Sequence, residues 1–203
     1  MISIVDYGSG NIRAIGNIYD RAKIEYNVVS TATELSKAKK IILPGVGAFD
    51  ETIEKLNSSG LKAILDKKVL EEMTPILGIC VGMQIMANSS DEGVQNGLGW
   101  IPGKVKLFDT SILQKPKIPH LGWNTVDIIK DTGLLRSIDS EQGFYFIHSY
   151  YYEVENESDI LTKTFYGDNF TSSINRDNIY GTQFHPEKSH SNGMKVLINF
   201  AEL

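Results

Sequence analysis

The sequence predicts an α/β fold, a single three-layer domain with a mostly parallel central sheet flanked by helices and an antiparallel extension. Three observations indicate this architecture. Short β-branched runs alternate with amphipathic stretches in the first half, as in strands and helices wound about a parallel sheet. The second half carries a series of extended runs, typical of antiparallel pairing. No repeat or linker divides the sequence, so we expect one domain over residues 1–203.

The first half predicts strands where β-branched residues cluster and helices where apolar residues recur at helical spacing. Gly8 and Gly10 allow a tight turn before the first helix, and Thr31 with Glu34 has the spacing of a capping box. The run Pro44-Gly45-Val46-Gly47 is expected to stop the third strand. The predicted strands are 2–6, 26–29, 40–43 and 75–79, and the predicted helices are 11–22, 32–37, 49–56 and 61–72.

The pattern changes after the Gly-rich segment 99–103. Aromatic residues alternate along the extended runs that follow, which core packing explains without a ligand. A final helix over 194–200 is expected to pack on the sheet. The predicted strands of this half are 104–108, 125–129, 144–148, 160–165, 170–175 and 179–183.

Composition and charge argue against several classes of function. The net charge is −5 and the 20 Lys and Arg residues are scattered, which does not favour a nucleic-acid partner. The first residues lack a basic stretch followed by an apolar core, and the longest apolar run, near 76–86, is too short to span a membrane. The single cysteine, Cys80, cannot form an internal disulfide, which fits a reducing compartment. We therefore expect a cytoplasmic protein with no membrane partner.

Gly78-Ile79-Cys80-Val81-Gly82 follows a predicted strand and opens a predicted helix. This is the context of a G-x-nucleophile-x-G elbow, which exposes its central side chain on a strained turn. The amides at a helix N-terminus favour a thiolate there, and the Val81 amide is placed to stabilise an oxyanion. The alternative is that Cys80 is a small buried apolar residue, as lone cysteines in apolar segments commonly are.

His185-Pro186-Glu187 supplies the groups that a cysteine nucleophile requires. The nucleophile needs an imidazole to move its proton, and the imidazole needs a third group to orient it. Residues two apart on an extended segment project to the same side, so Glu187 can reach His185. A metal site at His185, Glu187 and His190 is the alternative, but it lacks the helical H-E-x-x-H order and a clear additional ligand, so no metal is predicted.

Other motif residues have structural interpretations. Gly8 and Gly10 resemble a nucleotide-binding loop, but Arg13 occupies the position where the third glycine is required. His120 and His148 are expected to serve in packing or hydrogen bonding rather than as acids or bases. Trp123 fits either a partner-facing surface or the core.

Several segments together resemble the class I (triad) glutamine amidotransferases, a flavodoxin-like family. They are Pro-Gly-Val-Gly at 44–47, Gly-Ile-Cys-Val-Gly-Met-Gln at 78–84 and Gln-Phe-His-Pro-Glu-Lys-Ser at 183–189. More narrowly, the segments 6–11, 119–124 and 146–151 resemble the glutaminase subunits of imidazole glycerol phosphate synthases. The motifs run in the family's order from the first strand to the last helix.

The resemblance implies a set of site residues. It assigns the catalytic triad to Cys80, His185 and Glu187. It places the oxyanion hole at Val46, Gly47 and Val81, and glutamine binding at Gly45, Gln84, Ser149 and Tyr150.

The resemblance also implies an activity and a partner. Glutamine would be hydrolysed to glutamate and ammonia through a cysteine thioester, without a cofactor. A (β/α)₈ cyclase subunit in a heterodimer would use the ammonia to make imidazole glycerol phosphate and an aminoimidazole carboxamide ribotide in histidine biosynthesis. Three alternatives stay open: a duplicated glutaminase subunit that feeds another pathway such as surface-sugar modification, a cysteine hydrolase acting on other amides, and a non-catalytic binding module.

Overall fold

The computed structural model describes residues 1–109, 111 and 117–203. Its helices are α1 (Ile12–Ala22), α2 (Ala32–Leu35), α3 (Phe49–Ser58), α4 (Lys62–Asp66), α5 (Val81–Gln84) and α6 (His190–Glu202), and a π-helical turn, Lys67–Glu71, continues α4. Its strands are β1 (Ile2–Val5), β2 (Tyr26–Val29), β3 (Ile41–Gly45), β4 (Ile76–Cys80), β5 (Ser89–Ser90), β6 (Gly103–Leu107), β7 (His120–Asn124), β8 (Asp127–Ile128), β9 (Phe144–His148), β10 (Tyr150–Val154), β11 (Ile160–Tyr166), β12 (Asp168–Arg176) and β13 (Ile179–Thr182).

Five parallel strands form the centre of the main sheet, in the order β2-β1-β3-β4-β13. Strands β1, β3 and β4 are buried throughout, as expected for apolar, β-branched runs covered on both faces. Lys23, in the left-handed conformation, caps the C-terminus of α1, and α2 begins with the predicted capping box of Thr31 and Glu34. This arrangement brings the carboxyl ends of β3, β4 and β13 to one edge of the sheet, where ligands bind in open α/β folds.

The antiparallel extension continues the same sheet through β12, β10 and β6, with β11 paired to β12. A separate two-stranded sheet joins β7 to β9, with His120 directly opposite His148. On its inner face His120, Phe144, Phe146 and His148 are buried. On the other face Leu121, Trp123 and Ile147 point outward and are 60%, 45% and 40% exposed. The small sheet therefore has a polar–aromatic inner face and an apolar outer face.

Two predictions about elements are corrected by the structure, and some of its strands were not predicted. The 44–47 run does not stop the third strand at Leu43, because Pro44 and Gly45 pair with Ile79 and Cys80 of β4. The strand predicted at 125–129 is reduced to the two residues of β8. The strands β7 and β10 were not predicted as separate elements. No helix among the described residues is long and apolar enough to cross a membrane.

Candidate active site

Cys80 is the last residue of β4 and stands immediately before α5. Its backbone has φ +55° and ψ −116°, a conformation that costs a non-glycine residue on the order of 1–3 kcal/mol. The flanking glycines make this turn possible, because a Cβ at Gly82 would collide with the Leu43 carbonyl and one at Gly78 would lie 2.7 Å from the Gly82 carbonyl oxygen. The strained elbow predicted from the sequence is therefore present.

His185 lies three residues beyond the end of β13, so the parallel pairing of β13 with β4 brings it beside the elbow. Its backbone N–H donates to the Tyr145 carbonyl at 3.0 Å, and its own carbonyl accepts from the Ser189 hydroxyl at 2.6 Å. The His185 Nδ1 lies 2.8 Å from Glu187 Oε1, and both side chains are almost fully buried. This hydrogen bond to Glu187 thus fixes the orientation of the His185 ring.

The environment of His185 favours its protonated form. Burial by itself lowers the pKa of His185, but hydrogen bonds with Cys80 and Glu187 and the negative charges of those two groups raise it to about 10. The second carboxylate oxygen of Glu187 is buried without a hydrogen-bond partner among the described residues. No hydrogen bond from the described part of the chain to this oxygen therefore weakens the effect of the Glu187 charge on the His185 imidazole.

A cavity of about 410 Å³ lies at the elbow. Of the predicted site residues, two do not line it: Gly45 packs its backbone against Gly82, and Glu187 lies behind His185. The remaining predicted site residues meet in its wall, namely Val46, Gly47, Cys80, Val81, Gln84, Ser149, Tyr150 and His185.

The segment after β3 faces the elbow across the cavity, but its Val46 amide is engaged elsewhere. The Val46 N–H donates to the Ser9 hydroxyl at 3.0 Å, and the Ser9 hydroxyl lies 3.0 Å from the Val46 carbonyl oxygen. Gly47, with φ +102°, follows in a conformation that favours glycine. In this conformation the Val46 amide is bound to Ser9 rather than directed at the cavity.

This geometry agrees with the comparison to known proteins. A family model described as glutamine amidotransferase class-I matches residues 3–202. The chain belongs to the class-I glutamine amidotransferases. It is 49% identical to the imidazole glycerol phosphate synthase subunit HisH of Leptospira interrogans, over the full length of both chains. It is 47% identical to the subunit named HisH 2 of Methanococcus maripaludis, with 98% of each chain covered.

The fold is shared with solved structures of low sequence identity. A crystal structure titled glutamine amidotransferase superposes with a TM-score of 0.74 at 18% identity, covering 100% of both chains. This likeness confirms the predicted fold class, a mostly parallel sheet flanked by helices with an antiparallel extension.

Sequence reasoning missed several residues that this amidotransferase places around Cys80. Gln183 is fully buried, accepts a hydrogen bond from the Gln84 amide at 2.9 Å and directs its own amide at Cys80 Sγ, 3.8 Å away. Glu92 and Lys188 line the cavity, as does His148. Gln183 and Lys188 stand inside the recognised 183–189 motif, which was the available signal, whereas Glu92 lies in a loop with no motif.

The alternative metal site is not assembled in the described residues. None of their groups of three or more His, Cys, Asp or Glu could hold a metal ion. His190 lies against Trp123, with ring centroids 4.8 Å apart, while the Glu187 oxygen nearest His185 is hydrogen-bonded to that imidazole. His190 therefore has a different partner from the hydrogen-bonded His185–Glu187 pair.

Proposed function

We propose that this chain is the glutaminase subunit of an imidazole glycerol phosphate synthase, with one catalytic domain over residues 1–203. It hydrolyses glutamine to glutamate and ammonia in the cytoplasm, through a cysteine thioester and without a cofactor. The ammonia passes to a (β/α)₈ cyclase subunit, which makes imidazole glycerol phosphate and an aminoimidazole carboxamide ribotide in histidine biosynthesis. The observation that carries the proposal is Cys80 on a strained elbow, which lines the same cavity as His185, with the His185 ring hydrogen-bonded to Glu187.

The first half-reaction uses the charged form of His185. The Cys80 thiolate attacks the side-chain carbonyl carbon of glutamine, and the carbonyl oxygen becomes an oxyanion. His185, whose raised pKa keeps it protonated at neutral pH, gives its proton to the departing nitrogen. The C–N bond breaks, ammonia leaves, and a glutamyl thioester remains on Cys80.

The second half-reaction uses the neutral form of the same ring. After giving up its proton, His185 faces a thioester instead of a thiolate, so the main partner that raised its pKa is gone. The neutral imidazole can then accept a proton from water, which attacks the thioester and releases glutamate. Glu187 holds the ring in one orientation through both steps.

The oxyanion hole of this mechanism is formed by amides on both sides of the cavity. Val81 supplies the first amide of α5, directly after the nucleophile. Val46 and Gly47 supply the opposite wall after the Val46 peptide turns away from Ser9, a rearrangement that the glycines at 45 and 47 permit. We propose that the cyclase subunit promotes this turn, which explains why the isolated subunit is expected to be slow.

Residues beside the elbow bind glutamine in this mechanism. Both Nε2 hydrogens of Gln84 are committed, to the Tyr150 carbonyl at 3.0 Å and to Gln183 at 2.9 Å. Its Oε1 acceptor is therefore the group left to meet a donor of the substrate. Ser149 and Tyr150 form the adjacent wall, and Gly45 allows the elbow to pack closely enough to shape it.

The cyclase subunit would dock on the apolar outer face of the small sheet. Leu121, Trp123 and Ile147 are exposed there, and Ile147 also lines the cavity. Exposed apolar side chains grouped on one face are typical of interaction sites. A partner on this face would cover the cavity edge and receive ammonia before it escapes to solvent.

The primary experiment measures glutamate release from glutamine by the purified chain, with and without the (β/α)₈ subunit encoded with it. We expect release that requires Cys80, is lost in Cys80→Ala and increases with the partner. Folded wild-type protein that releases no glutamate with any partner would refute the proposal and leave a binding module.

A second experiment tests the oxyanion proposal. In Ser9→Ala the Val46 amide loses its hydrogen-bond acceptor, so the Ser9-bound conformation loses on the order of 1 kcal/mol of stabilisation. Partner-free glutaminase activity should then increase about fivefold. Ser3→Ala, which removes a hydroxyl bound to Asn27 far from the cavity, is the matched control. Equal basal rates in Ser9→Ala and wild type would contradict the proposal.

A second candidate function is a duplicated glutaminase subunit that feeds ammonia to another pathway, such as surface-sugar modification. The observation that favours it is that one of the chain's relatives carries the name HisH 2, which indicates more than one copy in that organism. Growth without histidine decides between the two. A strain that lacks its own glutaminase subunit should grow when it expresses this chain with its partner, and failure to grow, with Cys80-dependent glutaminase activity intact, would favour the duplicate.

A further inference from the structure

The inner face of the small sheet carries two buried histidines that the proposed mechanism does not use. His120 and His148 are 3% and 6% exposed and face each other across β7 and β9, with His120 Nδ1 3.0 Å from His148 Nε2. Burial lowers the pKa of His120 to about 4 and that of His148 to about 3. Both rings are therefore neutral at physiological pH, and each has one donor and one acceptor nitrogen.

The hydrogen bonds of the pair fix the tautomer of each ring. The Tyr150 carbonyl can only accept, so His148 Nδ1, 2.8 Å away, carries the proton. His148 Nε2 is then an acceptor, and His120 Nδ1 must donate to it. His120 Nε2 in turn accepts from the Asn124 amide at 3.3 Å. Every contact is satisfied by one assignment of protons.

The ring positions are also fixed by packing. The His120 ring stacks between Tyr166 and Phe146, with centroid distances of 4.0 and 4.7 Å. Phe170 approaches both histidines, at 5.7 Å from His120 and 5.2 Å from His148. Ring contacts on several sides therefore hold both imidazoles in position.

The bond from His148 to Tyr150 spans a junction between two sheets. Strand β9 belongs to the small sheet and β10 to the main sheet, and Ser149 is the residue between them. Ser149 and Tyr150 also line the cavity. The bond therefore holds the chain at the point where it forms the proposed glutamine-binding wall.

The same carbonyl connects the histidines to the nucleophile. The Tyr150 carbonyl also accepts from Gln84 Nε2, which donates to Gln183, whose amide is directed at Cys80 Sγ. One continuous set of hydrogen bonds thus runs from His120 to Cys80. A displaced Tyr150 carbonyl would turn the Gln84 amide and its Oε1 acceptor away from the cavity.

We infer that His148, held in one tautomer by His120, is a positioning residue for glutamine hydrolysis that acts through the Tyr150 carbonyl and the Gln84 amide. This inference rests on the proposed glutaminase function. His148 does not exchange protons with substrate; its Nδ1–H is a fixed donor that keeps the glutamine-binding wall in place.

Two substitutions separate this role from simple packing. The amide nitrogen of Asn lies where His carries Nδ1, whereas that of Gln lies where His carries Nε2. His148→Asn therefore retains a donor to the Tyr150 carbonyl, and His148→Gln loses it. With the partner subunit present, we expect kcat/KM to fall less than about threefold in His148→Asn and about tenfold in His148→Gln, mainly through KM. Equal losses in the two variants would overturn the inference.

Alkylation of Cys80 provides a readout that a general loss of stability would not reproduce. A chloroketone analogue of glutamine must bind before it reacts, whereas iodoacetamide reports the reactivity of the thiol alone. In His148→Gln we expect the chloroketone rate at low concentration to fall about tenfold, while the iodoacetamide rate changes less than twofold. If both rates change together, His148 has only a structural role.

Two controls keep the outcomes distinct. If wild-type protein releases no glutamate, the proposed function fails and the inference fails with it; if wild type is active and the two His148 variants match, only the inference fails. Should His148→Gln not fold, His120→Asn and His120→Gln repeat the comparison one hydrogen bond further away, because His120 Nδ1 donates to His148 Nε2. Indistinguishable kcat/KM values in those two variants would again overturn it.

Discussion

His185 and His148 are both almost completely buried and line the same cavity, yet their pKa values shift in opposite directions. The pKa of His185 is raised to about 10, and that of His148 is lowered to about 3. Burial opposes the charged form of both rings. The difference lies in their partners: His185 faces the Cys80 sulfur and the Glu187 carboxylate, whereas His148 faces a carbonyl and another neutral ring.

This contrast shows how one small region supports two tasks. A ring that must deliver a proton needs anionic neighbours, and a ring that must hold a carbonyl in place needs neutral ones. The two rings also influence each other, because a charged His148 would be repelled by His185. Keeping His148 neutral therefore protects the protonated state of His185.

The largest expected effect comes from removing the nucleophile. Cys80→Ala should reduce glutamate release by at least about a thousandfold, because the thioester cannot form. It should also lower the pKa of His185 well below 10, because the largest favourable partner of the imidazolium is lost. The imidazole signals of the four histidines, followed by NMR as a function of pH, measure this change. A His185 pKa that stays near 10 would show that Glu187, not Cys80, sets it.

The next effect comes from neutralising the third member of the triad. Glu187→Gln retains an oxygen that can accept from His185 Nδ1 but removes the negative charge, so kcat should fall about a hundredfold or more. The pKa of His185 should fall as well, which narrows its difference from His148. Glu157→Gln, at an exposed position, is the control and should leave kcat unchanged. Unchanged kcat in Glu187→Gln would exclude Glu187 from the mechanism.

The parts of this region differ in how far the sequence predicts them. The elbow and the His185–Glu187 pair are local motifs, since their glycines and their two-residue spacing act within a few positions of the chain. The alternation of β-branched runs and amphipathic stretches predicts the parallel half for the same reason. These features did not depend on knowing which distant segments meet.

The histidine pair could not be predicted in this way. His120 and His148 are 28 residues apart, and their contact depends on the register of β7 with β9. Strand β7 has Gly122 at its centre, which weakens its strand signal. The position of Glu92 beside the cavity likewise depends on a long-range contact. The Phe49 amide of α3 donates a hydrogen bond to the Glu92 carboxylate and so holds the Glu92 loop in place. The sequence pattern does not predict which distant strands pair, in which register they pair, or where a loop packs.

The smallest expected effect is that of the neutral histidines, His120 and His148, on how the stability of the fold depends on pH. The folded pKa of His148 lies below the ordinary value of 6.5, so the unfolded chain takes up a proton as the pH falls below 6.5 while the folded chain does not. The stability that the neutral His148 ring contributes is present above pH 6.5 and is lost as the pH falls from about 6.5 to about 3. His185 has the opposite sign: its stabilisation is complete below 6.5 and is lost as the pH rises through about 10.

Urea unfolding at pH 7 and pH 5 tests this difference, since most carboxylates are still ionised at pH 5. When the pH is lowered from 7 to 5, the free energy of unfolding should fall by about 2 kcal/mol for each of His120 and His148. Asn does not titrate, so His148→Asn should be less stable than wild type at pH 7 but lose about 2 kcal/mol less on going to pH 5. If the variant and wild type lose the same amount, His148 is not held neutral in the folded protein, and its fixed tautomer cannot be the source of its effect on the glutamine-binding wall.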